Sequence, residues 1–196
     1  MTTDQLPSTC ALRSPKLSYQ KNGEWVAYSH PPTFRLELTS GGSERLAAGV
    51  PAGDCLVFQR LAVSLEAPCM LLYVLHTPRG EGDAGRYQSP PLSQSELQEF
   101  LERYFAYLSS DARFDLWLHS PGENATVVWD RHDLIHAYGP TQRYMATLRS
   151  LGFDEGSPGI SFVHEHHYRQ EFDSDARAVL QAFAWRHSAL QPEDEQ

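Results

Sequence analysis

Phe114-Asp115-Leu116-Trp117-Leu118-His119-Ser120-Pro121-Gly122-Glu123-Asn124-Ala125-Thr126-Val127-Val128-Trp129-Asp130 reads as two strands folded back on a short turn. Apolar and polar residues alternate on both sides of Pro121-Gly122-Glu123-Asn124, and proline, glycine and asparagine are what a tight reversal needs. Strands joined this closely can only pair antiparallel. Alternation puts Asp115, Trp117 and His119 on one face with Thr126, Val128 and Asp130. Trp117 and Trp129 then point to opposite faces, so at least one of them belongs to the core.

The pattern extends in both directions. Downstream, Leu134–Tyr138 reads as a further strand after a tight turn, and Ile160–Arg169 as another. Upstream, Phe34, Leu36 and Leu38 alternate with Arg35 and Glu37, a half-buried strand. Cys55–Leu65 and Met70–His76 read as a hairpin about Glu66-Ala67-Pro68. Met70–Leu75 is apolar at every position, which predicts an interior strand covered on both faces.

Three helices punctuate the strands. Ser93-Gln94-Ser95-Glu96 is a capping box, followed by Leu97, Phe100, Leu101, Tyr104, Phe105 and Leu108 at helical spacing. Pro140 opens a second helix, with Tyr144, Met145, Leu148 and Leu151 as its buried face and Gly152 as its stop. Asp173 or Ser174 caps a third, carrying Val179, Leu180, Phe183 and His187 on one face, with His187 at its C-terminal end. The expected fold is α+β, a mainly antiparallel sheet built from hairpins with about three helices packed on it. Residues 1–32 read as a loosely ordered arm with at most one short strand at Trp25–Ser29, 33–190 as a single α+β domain and 191–196 as an acidic tail. Thr77–Pro91, rich in glycine and proline, reads as a long functional or mobile loop.

Composition sets the bounds. In 196 residues, 41% are hydrophobic, enough for an ordinary buried core. The first 110 residues carry 9 basic and 11 acidic groups and the remainder 7 basic and 14 acidic, so most of the net charge of -9 sits in the second part. An acidic half repels nucleic acid and anionic membranes and speeds encounter with basic partners. No apolar run reaches the ~20 residues of a membrane span, and Met1–Gln5 lacks the pattern of a secretory leader. Three cysteines, Cys10, Cys55 and Cys69, fit a reducing cytoplasm. Arginine in preference to lysine suggests a bacterial source.

The chemistry concentrates in the histidines. Of nine, five fall in Asp130-Arg131-His132-Asp133-Leu134-Ile135-His136 and His164-Glu165-His166-His167. On a strand, His164 and His166 share a face with Ile160, Phe162 and Tyr168, about 6.6 Å apart at ~3.3 Å per residue, and can converge on one metal. Glu165 and His167 face away. A third ligand has to come from elsewhere, and His136, Asp130 and His119 are the candidates. The plainer readings are histidines bonded to backbone or water, and a polar turn at Asp130–Asp133.

No nucleophile elbow, Cys-x-x-Cys or His-Glu-x-x-His is present. The primary expectation is therefore a cytoplasmic, non-enzymatic protein without a cofactor that binds a protein partner. One concrete form is an acidic, immunity-type inhibitor of a basic toxin. Its binding surface is expected at Asp115, Trp117, His119, Asp130, His132 and Asp133. The alternative is a metal-dependent hydrolase holding zinc or another divalent transition metal on His164, His166, His136 and Asp130. The sequence leaves open whether the protein is an enzyme.

Overall fold

The hairpin of residues 114–130 forms with the expected register and lies near the middle of a nine-stranded sheet. The computed structural model describes residues 14–39 and 41–194. Cys10 and residues 1–13 of the expected N-terminal arm lie outside that range.

The chain opens on β1 (Leu17–Lys21) and β2 (Glu24–Ala27), then β3 (Thr33–Leu38), β4 (Glu44–Gly49) and helix α1 (Cys55–Val63). Strands β5 (Met70–Leu75) and β6 (Gly85–Gln88) precede helices α2 (Gln94–Arg103) and α3 (Phe105–Ser110). β7 (Phe114–Ser120), β8 (Ala125–Trp129) and β9 (Leu134–Tyr138) form a meander, followed by α4 (Thr141–Ser150) and β10 (Asp154–Glu155). β11 (His164–His166), α5 (Asp173–Val179) and β12 (Arg186–Ser188) come last. The large sheet runs β10-β3-β4-β9-β8-β7-β5-β6-β12, antiparallel except at the β10–β3 edge. A second sheet runs β11-β1-β2. The fold is α+β with a mostly antiparallel sheet.

One face of the large sheet carries the core. Phe114, Leu116, Leu118, Val127, Trp129, Ile135 and Ala137 point to it and meet Phe58 and Leu61 of α1, Leu97 and Leu101 of α2, and Tyr144 and Leu148 of α4. Among the described residues, no helix packs on the opposite face. Alternation delivers Leu72, Asp115, Trp117, His119, Val128, Asp130 and His136 to it.

Several expectations are corrected. Cys55–Leu65 is not a strand. Asp54 caps a helix there by accepting the Leu56 N–H at 3.0 Å, and Cys55, Phe58, Leu61 and Ala62 bury one stripe. Both Cys55 and Cys69 are buried, and Cys69 is free. β5 lies inside the sheet, yet helices cover only one of its faces. Met70 and Leu72 are half-buried on the other. Thr77–Pro91 contains β6, which pairs with β5 and β12. A strand forms at Glu24–Ala27, overlapping the short strand expected at Trp25–Ser29, but it pairs with Leu17–Lys21, expected to be loose, in a hairpin, and Lys16 before it is fully buried. Only His164–His166 of Ile160–Arg169 is strand, and it pairs with β1 outside the large sheet. The last helix ends at Val179, and His187 lies in β12, facing Tyr87, rather than at a helix end. No described helix is long and apolar enough to cross a membrane.

Candidate metal centre

The small sheet sits against the end of the large one where β7 begins and β8 passes to β9. Arg113 fixes that junction. Its guanidinium, fully buried, donates to both oxygens of Asp111 at 2.8 and 3.0 Å, to Glu81 at 3.0 Å, to Asp173 at 3.1 Å and to the Arg169 carbonyl at 2.9 Å. Asp111 also accepts the Arg169 N–H at 2.8 Å, and Ala112 donates to the His167 carbonyl. Backbone pairing then sets Leu17 opposite His166 and Tyr19 opposite His164. A buried guanidinium with this many partners is paired well enough to survive desolvation.

The β8–β9 turn meets β11. Asp130 accepts the backbone N–H groups of His132 and Leu134 through Oδ1, each at 2.9 Å, and so shapes the turn. Asp133 takes a left-handed conformation (φ 58°) and turns inward, where Trp129 Nε1 donates to it at 3.1 Å and Lys16 Nζ lies 3.1 Å away. Burial pushes its carboxyl up to about 6 although Lys16 opposes the shift. The His30 imidazole donates through Nε2 to the His132 carbonyl at 2.8 Å. It lies against Gly49, where any Cβ would stand 2.7 Å from its own. Burial lowers the His30 pKa, which keeps the ring neutral.

Held in this way, His132 meets His164 and His166. The ring centroids lie 4.8–5.2 Å apart, and one ligand atom from each falls within 4.8 Å of the other two. All three rings are half-buried. Two ligands bound at ~2.0–2.1 Å to one tetrahedral metal stand about 3.3 Å apart, so modest side-chain rotations close the triangle. Their surroundings preset the rings. His164 donates through Nδ1 to the Phe162 carbonyl at 3.1 Å, which leaves Nε2 for a ligand. His132 turns Nδ1 to Asp130 Oδ2 at 3.6 Å. Backbone carbonyls and carboxylates are the usual outer partners of metal-bound histidine. His166 Nε2 is buried with no hydrogen-bond partner among the described residues. Burial, then the neighbouring His132 and His164, pull its pKa down to about 3, so the ring is neutral and able to ligate.

Further carboxylate–histidine pairs stand beside the triad. His136 Nε2 lies 3.8 Å from Asp130 Oδ2, and His76 Nε2 lies 2.8 Å from Asp115 Oδ2. Burial works against ionisation of Asp130, but the hydrogen bonds and charge of His132 and His136 outweigh it and hold the carboxyl well below the usual range.

His164 and His166 thus share a side as the two-residue spacing requires, with Phe162 and Tyr168 ring neighbours of His164 and His166. His167 faces the other way, with Nε2 2.7 Å from the Ser18 hydroxyl. His132 completes the group instead of His136, Asp130 or His119. Asp130 and His136 stand behind it, and His119 pairs with Thr126 at 2.9 Å at the far end of β7 and β8. Of the six residues expected to form a binding surface, Asp115, Asp130 and Asp133 are buried, while Trp117, His119 and His132 are partly accessible. Sequence reading placed His132 in a turn but had no means to bring β11 to it, because β11 is anchored by Leu17–Tyr19. In comparison with known proteins, the chain matches no family model, no curated protein and no solved structure.

Proposed function

We propose that this chain is a metal-dependent hydrolase built on a three-histidine centre of His132, His164 and His166. The observation that carries the reading is the convergence of their three ligand atoms within 4.8 Å, from two separate parts of the chain. Imidazole suits zinc, copper, iron and nickel, and three protein ligands leave a position open for water or substrate. A metal held there would supply a water acidified to a pKa of about 7 as the nucleophile. Asp130 would orient His132, and His136 stands 3.8 Å from the same carboxylate oxygen. Cytoplasmic residence remains our proposal, resting on the small number of cysteines and the free Cys69.

Elemental analysis of untagged protein purified without chelator tests the reading. About one transition metal per chain is expected, with ester hydrolysis lost on chelation and restored by metal. Replacing His132, His164 or His166 with alanine should each abolish binding. A metal-free protein that ignores added zinc, cobalt and nickel would overturn it.

A second reading, a non-enzymatic protein that grips a protein partner, draws on β2. That strand pairs only with β1, and all four of its residues are exposed, Trp25 at 45%. A free strand edge can take up a strand of another chain. The form in which an acidic surface plugs a basic toxin has less to build on, because Asp115, Asp130 and Asp133 are turned inward. Recovery of a stoichiometric partner, lost when a proline is placed in β2, would favour this reading.

A further inference from the structure

The face of the large sheet opposite the helices has a second feature, which His119 lines but none of His132, His164 and His166 does. A cleft of about 500 Å³ opens over β5, β6, β7 and β12. Its floor is Leu72 and Trp117, direct cross-strand neighbours. Its wall carries Arg86 and Arg186, which share a face on paired strands, Arg86 opposite Ser188 and Arg186 opposite Gln88. No carboxylate lines the cleft, in a chain whose net charge is -9. Asp194 reaches Arg86 Nε only at 3.7 Å, from outside the lining. The Arg86 guanidinium lies 5.8 Å from the Trp117 ring centroid. The indole N–H of Trp117 is buried with no acceptor among the described residues.

These observations describe one kind of occupant. Leu72 and the Trp117 ring offer a flat apolar surface. The Arg186 guanidinium and the indole N–H are donors with no acceptor among the described residues, and Arg86 meets Asp194 with its Nε alone. Guanidinium forks suit carboxylate and phosphate oxygens, and the volume lies in the range of small-molecule sites. An occupant with a positive head would meet two arginines, and a neutral polar one would leave them unpaired. The all-apolar β5 also finds its reason here. Its core-facing residues meet the helices, and Leu72 on the other side is apolar because it floors a cleft.

We propose that this cleft binds a small aromatic anion, its flat body on Leu72 and Trp117 and its carboxylate or phosphoryl group on Arg86 and Arg186. This goes beyond the metal reading and does not depend on it, since none of the three histidines lines the cleft.

Calorimetric titration of the full chain with naphthoate, naphthylphosphonate and naphthylmethanol tests it. Both anions should bind, the alcohol about tenfold or more weakly, and the stronger anion shows which oxyanion the wall prefers. Arg186→Gln and Arg86→Gln should each weaken the anions about tenfold while leaving the alcohol unchanged. Arg186 is exposed, so its variant has no reason to misfold. Saturable quenching of tryptophan emission should disappear in Trp117→Phe. The anions should bind equally after chelation and in His166→Ala. Equal affinity for the alcohol, unchanged affinity in both arginine variants, or binding that vanishes with the metal would overturn the proposal. Anion binding by a metal-free protein would support the cleft while refuting the metal centre.

Discussion

The two ends of the helix-free sheet face use the same strands differently. At the end where β7 begins and β8 finishes, the small sheet closes over a turn held by backbone and carboxylate partners, while His166 Nε2, His136 Nδ1 and His76 Nδ1 are left without a hydrogen-bond partner among the described residues. Asp130 holds the turn, His30 holds His132, and Phe162 sets the His164 tautomer. At the other end, two residues of β7 beyond Asp115 or about 7 Å, Trp117 is half-buried and Arg186 exposed, and the Trp117 indole N–H has no acceptor among the described residues. Partnered polar groups are fixed before a ligand arrives, as a metal centre requires. Unpartnered donors beside an apolar floor bind by being satisfied. The difference between the ends comes from what covers the sheet, not from the strands beneath.

The strongest way to break this comparison is Arg113→Ala. It leaves Asp111 buried without its main partner and frees the segment that delivers β11. Breaking a buried ion pair in this way costs about 3–5 kcal/mol, measured by urea unfolding. In whatever fraction stays folded, metal affinity should fall far more than affinity for aromatic anions. Equal loss at both ends would mean that they are one unit.

The sequence made the strands of this face legible and left their cover hidden. The register of residues 114–130 followed from alternation, because each residue has only two ways to point. The capping box at Ser93 was equally local, and both of its bonds form. Cys55–Leu65 was misread because Val57, Phe58 and Val63 favour strands, although Asp54 at the cap and the spacing of Phe58, Leu61 and Ala62 already signalled a helix. Sequence places His132 in a turn and on a binding surface, without its neighbours His164 and His166. Its meeting with them depends on Asp111, Arg113 and Leu17, the last far from the other two in sequence, and none carries a periodic signal. Arg86 and Arg186 were missed because strands as short as β6 and β12 show too few residues to alternate.

Metal loading gives the next largest effect. A ligand held by the native state alone, at a hundredfold excess over its Kd, adds about 2.7 kcal/mol to unfolding free energy. Wild-type protein should gain this on addition of zinc, and His166→Ala should gain nothing. Urea midpoints with and without chelator measure both. An aromatic anion should stabilise both proteins equally. A zinc increment that persists in His166→Ala would place the metal elsewhere and remove the contrast between the ends.

Trp117→Ala should cost less. The ring is half-buried against Leu72, so losing it removes about 1–1.5 kcal/mol of apolar burial. Trp129, buried on the core face and stacked on Phe58, should cost about 3–5 kcal/mol when changed to alanine. The ratio of the two unfolding energies tests whether the cleft end lies open. A Trp117 cost equal to that of Trp129 would mean that the face is covered in solution.

The smallest effect checks the other predictions. Ser93 caps α2 on the helical side, accepting the Glu96 N–H while Glu96 accepts the Ser93 N–H at 2.8 Å. Alanine there removes one side of the box and costs about 1 kcal/mol. Nothing links Ser93 to either end of the bare face, so zinc and naphthoate affinities should both stay unchanged in Ser93→Ala. If a loss of this size weakens either ligand, the affinity changes in Arg113→Ala and Trp117→Ala report general loosening of the fold. If both affinities hold, those changes belong to the local geometry of each end.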